Sequence, residues 1–225
     1  MDLVRQYRRG IEALFQQWTA KEPVGGINHK TDGFIRDGIV CPEQWFSQGV
    51  RPLFLLKEAY GTGDWDLVAD HLLIHGMIRS ATWRRVSQWT RGLLNTTKTE
   101  LCPFVQEDAF RFYGNPYLRS MAVVNVRKSG GRTRSNPDVI RRYALYDRAE
   151  LRQELQLIDP TVIVCGYTIS ALNRILDRPV TDGKPAQKQN TNLFYHITLN
   201  GHVVTVLDYW HPSNQFPDLL NYYGL

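Results

Sequence analysis

The feature that most constrains the fold is a set of three short apolar runs, at 53–56, 121–126 and 161–166, with helix-length segments between them. Each run then breaks into charged residues or a glycine turn. Runs this short suit strands that are covered on both faces, as in a parallel sheet. A strand, a helix and a second strand of these lengths imply a right-handed parallel crossover. The sequence therefore predicts an α/β fold of three layers, α/β/α, with a central and mostly parallel sheet.

The remaining pattern predicts further elements around this sheet. Apolar residues at helical spacing predict a helix over 2–18 and a long helix over about 138–158. Two later strands are joined by Asn200-Gly201, a dipeptide typical of tight hairpins. We expect one domain spanning 1–225, since a chain of 225 residues with 43% hydrophobic content can bury one large core.

The composition argues against several classes of protein. The first residues have no apolar core of signal-peptide length, and no apolar run approaches a membrane span. Cys41, Cys102 and Cys165 are widely spaced, without a CxxC pair or a Cys/His cluster of zinc spacing. The sequence therefore predicts a cytoplasmic protein with no membrane association, no metal, no cofactor and no obligatory protein partner.

A local excess of basic residues points to a polyanionic partner. The net charge is +5, and arginines concentrate between Arg119 and Arg152. Such an excess can neutralise phosphates, which gives sequence-independent and salt-sensitive binding. The alternative is a solvated helix face with ordinary ion pairs between neighbouring turns.

Three polar residues follow predicted strands and are expected to meet. Glu58 ends the first run, Asn125 lies near the end of the second, and His211 follows the last strand. In open α/β sheets the ligand lies beyond the carboxyl ends of the strands. Each residue alone has a simpler explanation, since charged and amide side chains often form solvated turns and a lone histidine is often structural. Their joint occurrence predicts one site.

The order and context of these residues resemble the uracil-DNA glycosylase superfamily. Lys57-Glu58-Ala59-Tyr60-Gly61 is similar to the Gly-Glu-Ala-Pro-Gly motif of its iron-sulfur class, and Val124-Asn125-Val126-Arg127-Lys128 to that class's Asn-Val-Val-Lys segment. The Asn136-Pro137 pair with the helix and strand after it, and the superfamily's His-Pro-Ser loop at His211-Pro212-Ser213, complete the resemblance, which covers about 51–216. Ser129 stands where iron-sulfur relatives carry a ligand cysteine, so we predict no cluster.

The resemblance implies a uracil-DNA glycosylase-like fold and an enzyme that flips a nucleotide out of DNA and hydrolyses its N-glycosidic bond. Glu58 would stabilise the cationic sugar or activate water, His211 would stabilise the leaving base, and Asn125 would contact its polar edge. The residues expected to bind the substrate are Lys57, Ala59, Tyr60, Gly61, Trp83 and Ser213. Those expected to bind DNA are Arg127, Lys128, Arg132, Arg134, Asn214, Gln215 and Phe216.

Several alternatives stay open. Lys57 and Tyr60 replace a glycine and a proline of the related motif, so the target is either uracil or a modified base, such as a modified cytosine in foreign DNA. Trp83 is preferred to Trp65 as the aromatic that stacks on the base, although a tryptophan at helical spacing is more often a core residue. A non-catalytic DNA- or nucleotide-binding module on the same fold is the second hypothesis. A phosphate-transferring enzyme is the weakest, because no GxxxxGK[ST] loop is present.

Overall fold

The computed structural model describes residues 2–74, 79–131, 134–178, 180, 187–189 and 192–213, with backbone only for 187–189 and 192–193. The strands in these ranges are β1 (Ile35–Arg36), β2 (Gly38–Ile39), β3 (Pro52–Tyr60), β4 (Trp65–Asp66), β5 (Ala122–Gly131), β6 (Val162–Gly166), β7 (Gln187–Gln189), β8 (Asn192–Leu199) and β9 (His202–Tyr209). The α-helices are α1 (Leu3–Thr19), α2 (Pro42–Trp45), α3 (Ala81–Asn95), α4 (Pro116–Arg119), α5 (Pro137–Tyr146), α6 (Arg148–Ile158) and α7 (Ile169–Leu176), with a π-helical segment at Leu67–Leu73 and a 3₁₀ turn at Glu107–Phe110.

A seven-stranded sheet forms the centre of the molecule, in the order β2-β5-β3-β6-β9-β8-β7. The four strands β5, β3, β6 and β9 run parallel, whereas β2, β8 and β7 pair antiparallel at the two edges. The short strands β1 and β4 pair separately. This arrangement confirms the predicted fold class.

Both faces of the sheet are covered, which is why the central strands are apolar at successive positions. On β3, Leu53 and Leu55 join a core cluster with residues of α1, α5, α6 and α7. Phe54 and Leu56 join a second cluster with α3 and the π-helical segment. The alternation of side chains along a strand therefore supplies two apolar layers from one run.

The chain order reverses between β3 and β6. The chain passes from β3 to β5 on one side, and then returns to β6 and β9 on the other. Connections that leave neighbouring strands in opposite directions open a crevice at the carboxyl ends, where ligands bind in folds of this kind. A ligand site is therefore expected at the carboxyl ends of β3, β6 and β9.

Two elements differ from the prediction. Strand β5 continues to Gly131 because 127–131 pair with β3, with Arg127 opposite Glu58. The expected helix over 138–158 is two helices that meet at Asp147, whose fully buried carboxylate pairs with His29 Nε2 at 2.9 Å and with Lys21 Nζ at 3.3 Å. Both changes come from tertiary partners that local periodicity does not encode.

The hairpin prediction is confirmed. β8 and β9 pair directly, and Asn200 and Gly201 adopt φ values of 48° and 81°. A two-residue hairpin loop of type I′ needs positive φ at both residues, and the twist of this turn matches the right-handed twist of the strands. In the described part of the chain, no helix has both the length and the apolar character needed to cross a membrane.

Candidate functional site

Side chains from three parallel strands meet at the crevice. Lys57 near the end of β3 places Nζ 5.2 Å from the ring centroid of Tyr167, which directly follows β6. Tyr167 in turn makes an edge-on contact with Trp210, just after β9, with ring centroids 5.2 Å apart. The sequence pointed to Lys57 but not to Tyr167 or Trp210. The only signal for them was their position directly after predicted strands.

Tyr167 is held in a conformation that tyrosine rarely adopts. Its φ is 58°, in the left-handed region, and its side chain remains partly exposed. The backbone N–H of Tyr167 donates to the carbonyl of Tyr209 at 3.0 Å, which ties the end of β6 to the end of β9. Strain of this kind persists only where the surroundings fix it, and it concentrates at functional sites. The hydrogen bond to Tyr209 thus holds an aromatic side chain at the crevice.

His211 has a hydrogen bond that indicates its tautomer and a lowered pKa that indicates its charge. Its Nδ1 accepts from the backbone N–H of Ser213 at 3.2 Å and lies 2.7 Å from Ser213 Oγ. Burial, with the Lys57 ammonium nearby, lowers the pKa of His211 to about 4. Because Nδ1 accepts a hydrogen bond, the neutral ring carries its proton on Nε2. The site therefore contains an uncharged imidazole whose Nε2–H can donate to a ligand.

Replacing Lys57 by methionine is expected to raise the pKa of His211. The nearby ammonium disfavours the imidazolium ion, so its removal shifts the pKa upward, while burial, the larger cause, still holds it below the ordinary 6.5. Titration of the His211 ring by NMR checks this. Lys98, an exposed lysine, supplies the control in Lys98→Met. An unchanged His211 pKa in Lys57→Met would disprove the coupling.

Glu58 faces a different part of the same edge. Its Oε2 accepts from Arg127 Nη1 at 3.0 Å, and only 5% of the Glu58 side chain is exposed. Gly131 lies so close that a Cβ there would fall 2.4 Å from the Glu58 carboxyl carbon. This carboxylate lines a cavity of about 400 Å³ that continues along β5 and α5. The cavity is also lined by Arg134, which was expected to bind DNA, and by Arg142, which belongs to the basic stretch between Arg119 and Arg152 but was not among the expected site residues.

Asn125 forms a side-chain hydrogen bond with a buried carboxylate. Its backbone N–H and its Nδ2 both donate to Asp37 Oδ2, at 2.8 Å and 3.0 Å, and the residue is 2% exposed. Asp37 was not singled out from the sequence, because it lies in a turn between two short strands. The structure thus anchors Asn125 through one N–H of Nδ2, which leaves Oδ1 and the second N–H of Nδ2 for any contact with a base.

The prediction that Lys128 binds DNA is wrong. Its side chain is fully buried and pairs with Asp37 and with Glu154, the latter at 2.8 Å. Its Nζ lies 5.1 Å from the ring centroid of Trp18. The alternation of β5 turns Lys128 toward the core. A lysine in this position neutralises internal carboxylates and is out of reach of a phosphate.

The other predicted residues have different surroundings. Trp83 is 7% exposed and belongs to the second core cluster, which favours the packing interpretation over base stacking. Ala59 is buried, whereas Tyr60 is 72% exposed beside the Gly61 turn. Arg132, Asn214, Gln215 and Phe216 lie outside the described residues.

The described residues contain no group of three or more His, Cys, Asp or Glu side chains arranged to hold a metal ion. Comparison with models of known protein families, with functionally described proteins and with solved structures found no match. The fold and the site therefore define the protein as a three-layer α/β/α protein with a polar and aromatic crevice at the carboxyl edge of its sheet.

Proposed function

We propose that this protein is a cytoplasmic DNA glycosylase that flips a nucleotide and hydrolyses its N-glycosidic bond, leaving an abasic site. The observation that carries the proposal is the position of His211 at the crevice between β3, β6 and β9, where its Nδ1 accepts from the Ser213 N–H and its low pKa leaves Nε2–H as a donor. Glycosidic cleavage leaves negative charge on the departing base, which a preorganised N–H donor stabilises. The motif order that resembles the uracil-DNA glycosylase superfamily supports the same chemistry.

Each side chain has a defined part in this proposal. His211 Nε2–H donates to the leaving base, and the ammonium of Lys57 adds positive potential at the same place. Glu58 stabilises the cationic sugar or orients water, with its carboxylate held in place by Arg127. Tyr167 and Trp210 offer aromatic surface on which a flipped base stacks.

The target is uracil or a modified base that leaves as an anion, including a modified cytosine in foreign DNA. Lys57 favours such a base, because a half-buried cation at the crevice stabilises the negative charge that develops on the base during bond cleavage. The biological role would then be repair or defence. Protein partners are not required by this chemistry.

The test is base release from DNA that carries uracil or one of several modified bases, followed by cleavage of the abasic sites. We expect one substrate to be cleaved, and Glu58→Gln to slow cleavage by about 10²–10⁴-fold, as for other positioned acid–base groups. Glu100→Gln, at an exposed glutamate, is the control. No product from any substrate, with the Glu58→Gln variant identical to the wild type, would refute the proposal.

A non-catalytic nucleotide-binding module is the second candidate. Two observations favour it: Glu58 is neutralised by Arg127, and Asn125 is committed to Asp37. This candidate predicts that His211→Ala and Asn125→Ala weaken DNA binding while no substrate is cleaved by any variant. Salt-dependent binding without base release would select it.

A further inference from the structure

The cavity beside Glu58 is unusually rich in arginine. Arg127 comes from β5, Arg134 from the segment before α5, and Arg142 from the middle of α5, and all three line one cavity of about 400 Å³. This volume lies within the range of about 300–1,000 Å³ that is typical of ligand sites. The cavity is therefore large enough for a group bigger than a lone inorganic ion.

Two of these cations are not neutralised by any acidic side chain that the structure describes. Arg127 pairs with Glu58 at 3.0 Å and also donates to Ser129 Oγ at 2.9 Å. Within the described residues, Arg134 and Arg142 form no ion pair with an acidic side chain, and Arg142 donates only to the carbonyl of Gly25, at 3.4 Å. Both arginines are exposed. Their charge is available to a ligand.

The rest of the lining fits an anion. Asn136 caps α5 by accepting the backbone N–H of Asp138, so the positive end of this ten-residue helix adds to the field of the arginines. Asp32 opposes it with one negative charge, and its carboxylate accepts the backbone N–H of Asn28 at 2.9 Å. Three arginines against Glu58 and Asp32 leave one net positive charge, which matches a single phosphodiester.

We propose that this arginine cavity binds a backbone phosphate of a DNA strand and so places a sugar of that strand against Glu58. The placement of the sugar rests on the function proposed above, whereas the binding of the phosphate does not. Arginine suits this task because its planar guanidinium can donate two hydrogen bonds to one phosphate. The cavity sets the register of the strand relative to the crevice, where Tyr167 and His211 lie on the other side of β3.

The test measures binding of a short fluorescein-labelled oligodeoxythymidine, which contains no target base, over a range of salt concentrations. The variant is Arg134→Gln/Arg142→Gln. The proposed site neutralises one phosphate, and each phosphate contact on a single strand contributes about 0.7 to the slope of log K against log salt, so we expect the slope to fall by about 0.7. The control Arg9→Gln/Arg141→Gln removes the same charge from exposed arginines outside the cavity and is expected to reduce the slope by clearly less.

The outcomes separate this proposal from the glycosylase proposal. Equal slopes for the two double variants, or no change in either, would overturn the phosphate site even if base release were observed. Reduced binding specific to Arg134→Gln/Arg142→Gln would support the site even if no base were ever released. Saturable binding of inorganic phosphate that this variant abolishes, with unchanged oligonucleotide binding, would overturn the assignment to a strand.

Discussion

Replacing His211 by alanine is expected to lower the rate of base release by about 10²–10³-fold, the cost of removing one preorganised hydrogen-bond donor. The effect is large because, in the proposed mechanism, Nε2–H donates to charge that develops only in the transition state, so kcat falls while substrate affinity changes little. Single-turnover kinetics on the substrate identified by the base-release assay provides the measurement.

The pH dependence of kcat/KM provides a second test of the role of His211. The pKa of His211 lies at about 4, so the ring stays neutral as the pH falls from 7 to about 5. Below about 4 the ring gains a proton on Nδ1, which then can no longer accept from the Ser213 N–H. We therefore expect kcat/KM to show no step near 6.5 that depends on His211.

Two variants control for indirect effects. His202 lies at the start of β9, the opposite end from the crevice, with Nε2 3.1 Å from the carbonyl of Pro160, so His202→Ala should leave the rate unchanged. Ser213→Ala retains the backbone donor to Nδ1 and should lower the rate less than His211→Ala. A His211→Ala variant as active as the wild type would remove this residue from the mechanism.

Replacing Lys128 by alanine is expected to lower the free energy of unfolding by about 3–5 kcal/mol. The substitution removes the ammonium that pairs with the buried carboxylates of both Asp37 and Glu154. It also removes the contact with the Trp18 ring. The large cost is that of leaving buried carboxylates without a cation. Urea denaturation followed by tryptophan fluorescence measures it.

Glu154→Gln provides the matched comparison for Lys128→Ala. Burial raises the pKa of Glu154 well above its usual 4.5, even with Lys128 as its neighbour. A carboxyl group whose folded-state pKa is raised binds more protons in the folded state, so it lowers stability progressively as the pH rises above 4.5. The stability of Glu154→Gln relative to the wild type should therefore increase with pH above that value. A relative stability independent of pH would contradict this account of the cluster.

Much of the fold follows from local pattern. The runs at 53–56, 121–126 and 161–166 became β3, β5 and β6 because they are apolar on both sides of each strand, and the Asn200-Gly201 turn formed as expected. The boundary of β5 and the break at Asp147 were missed, because each depends on partners distant in the sequence.

For the site residues too, local pattern predicted some features and contacts between distant residues decided the others. Glu58 and Lys57 were singled out because they interrupt an apolar run, and His211 because it follows the last strand. Lys128 was misassigned because a lysine beside a glycine-rich turn normally faces water, and only its contacts with Asp37 and Glu154 show that it is internal. Tyr167 and Trp210 have no local signature, and Arg142 had only its place in the basic stretch between Arg119 and Arg152, so all three gained importance through their neighbours in the structure.

The sequence by itself determined the layered α/β architecture and the edge of the sheet where polar residues gather, because hydrophobic periodicity and strand polarity are local properties. Only the tertiary structure decided which polar residues face that edge and which face the core. It turned Lys128 inward, anchored Asn125 to Asp37, and placed the arginine cavity of Glu58 and the aromatic crevice of Tyr167 and His211 on opposite sides of β3. These assignments depend on contacts between residues far apart in the chain, and burial there sets both the charge and the reach of each side chain.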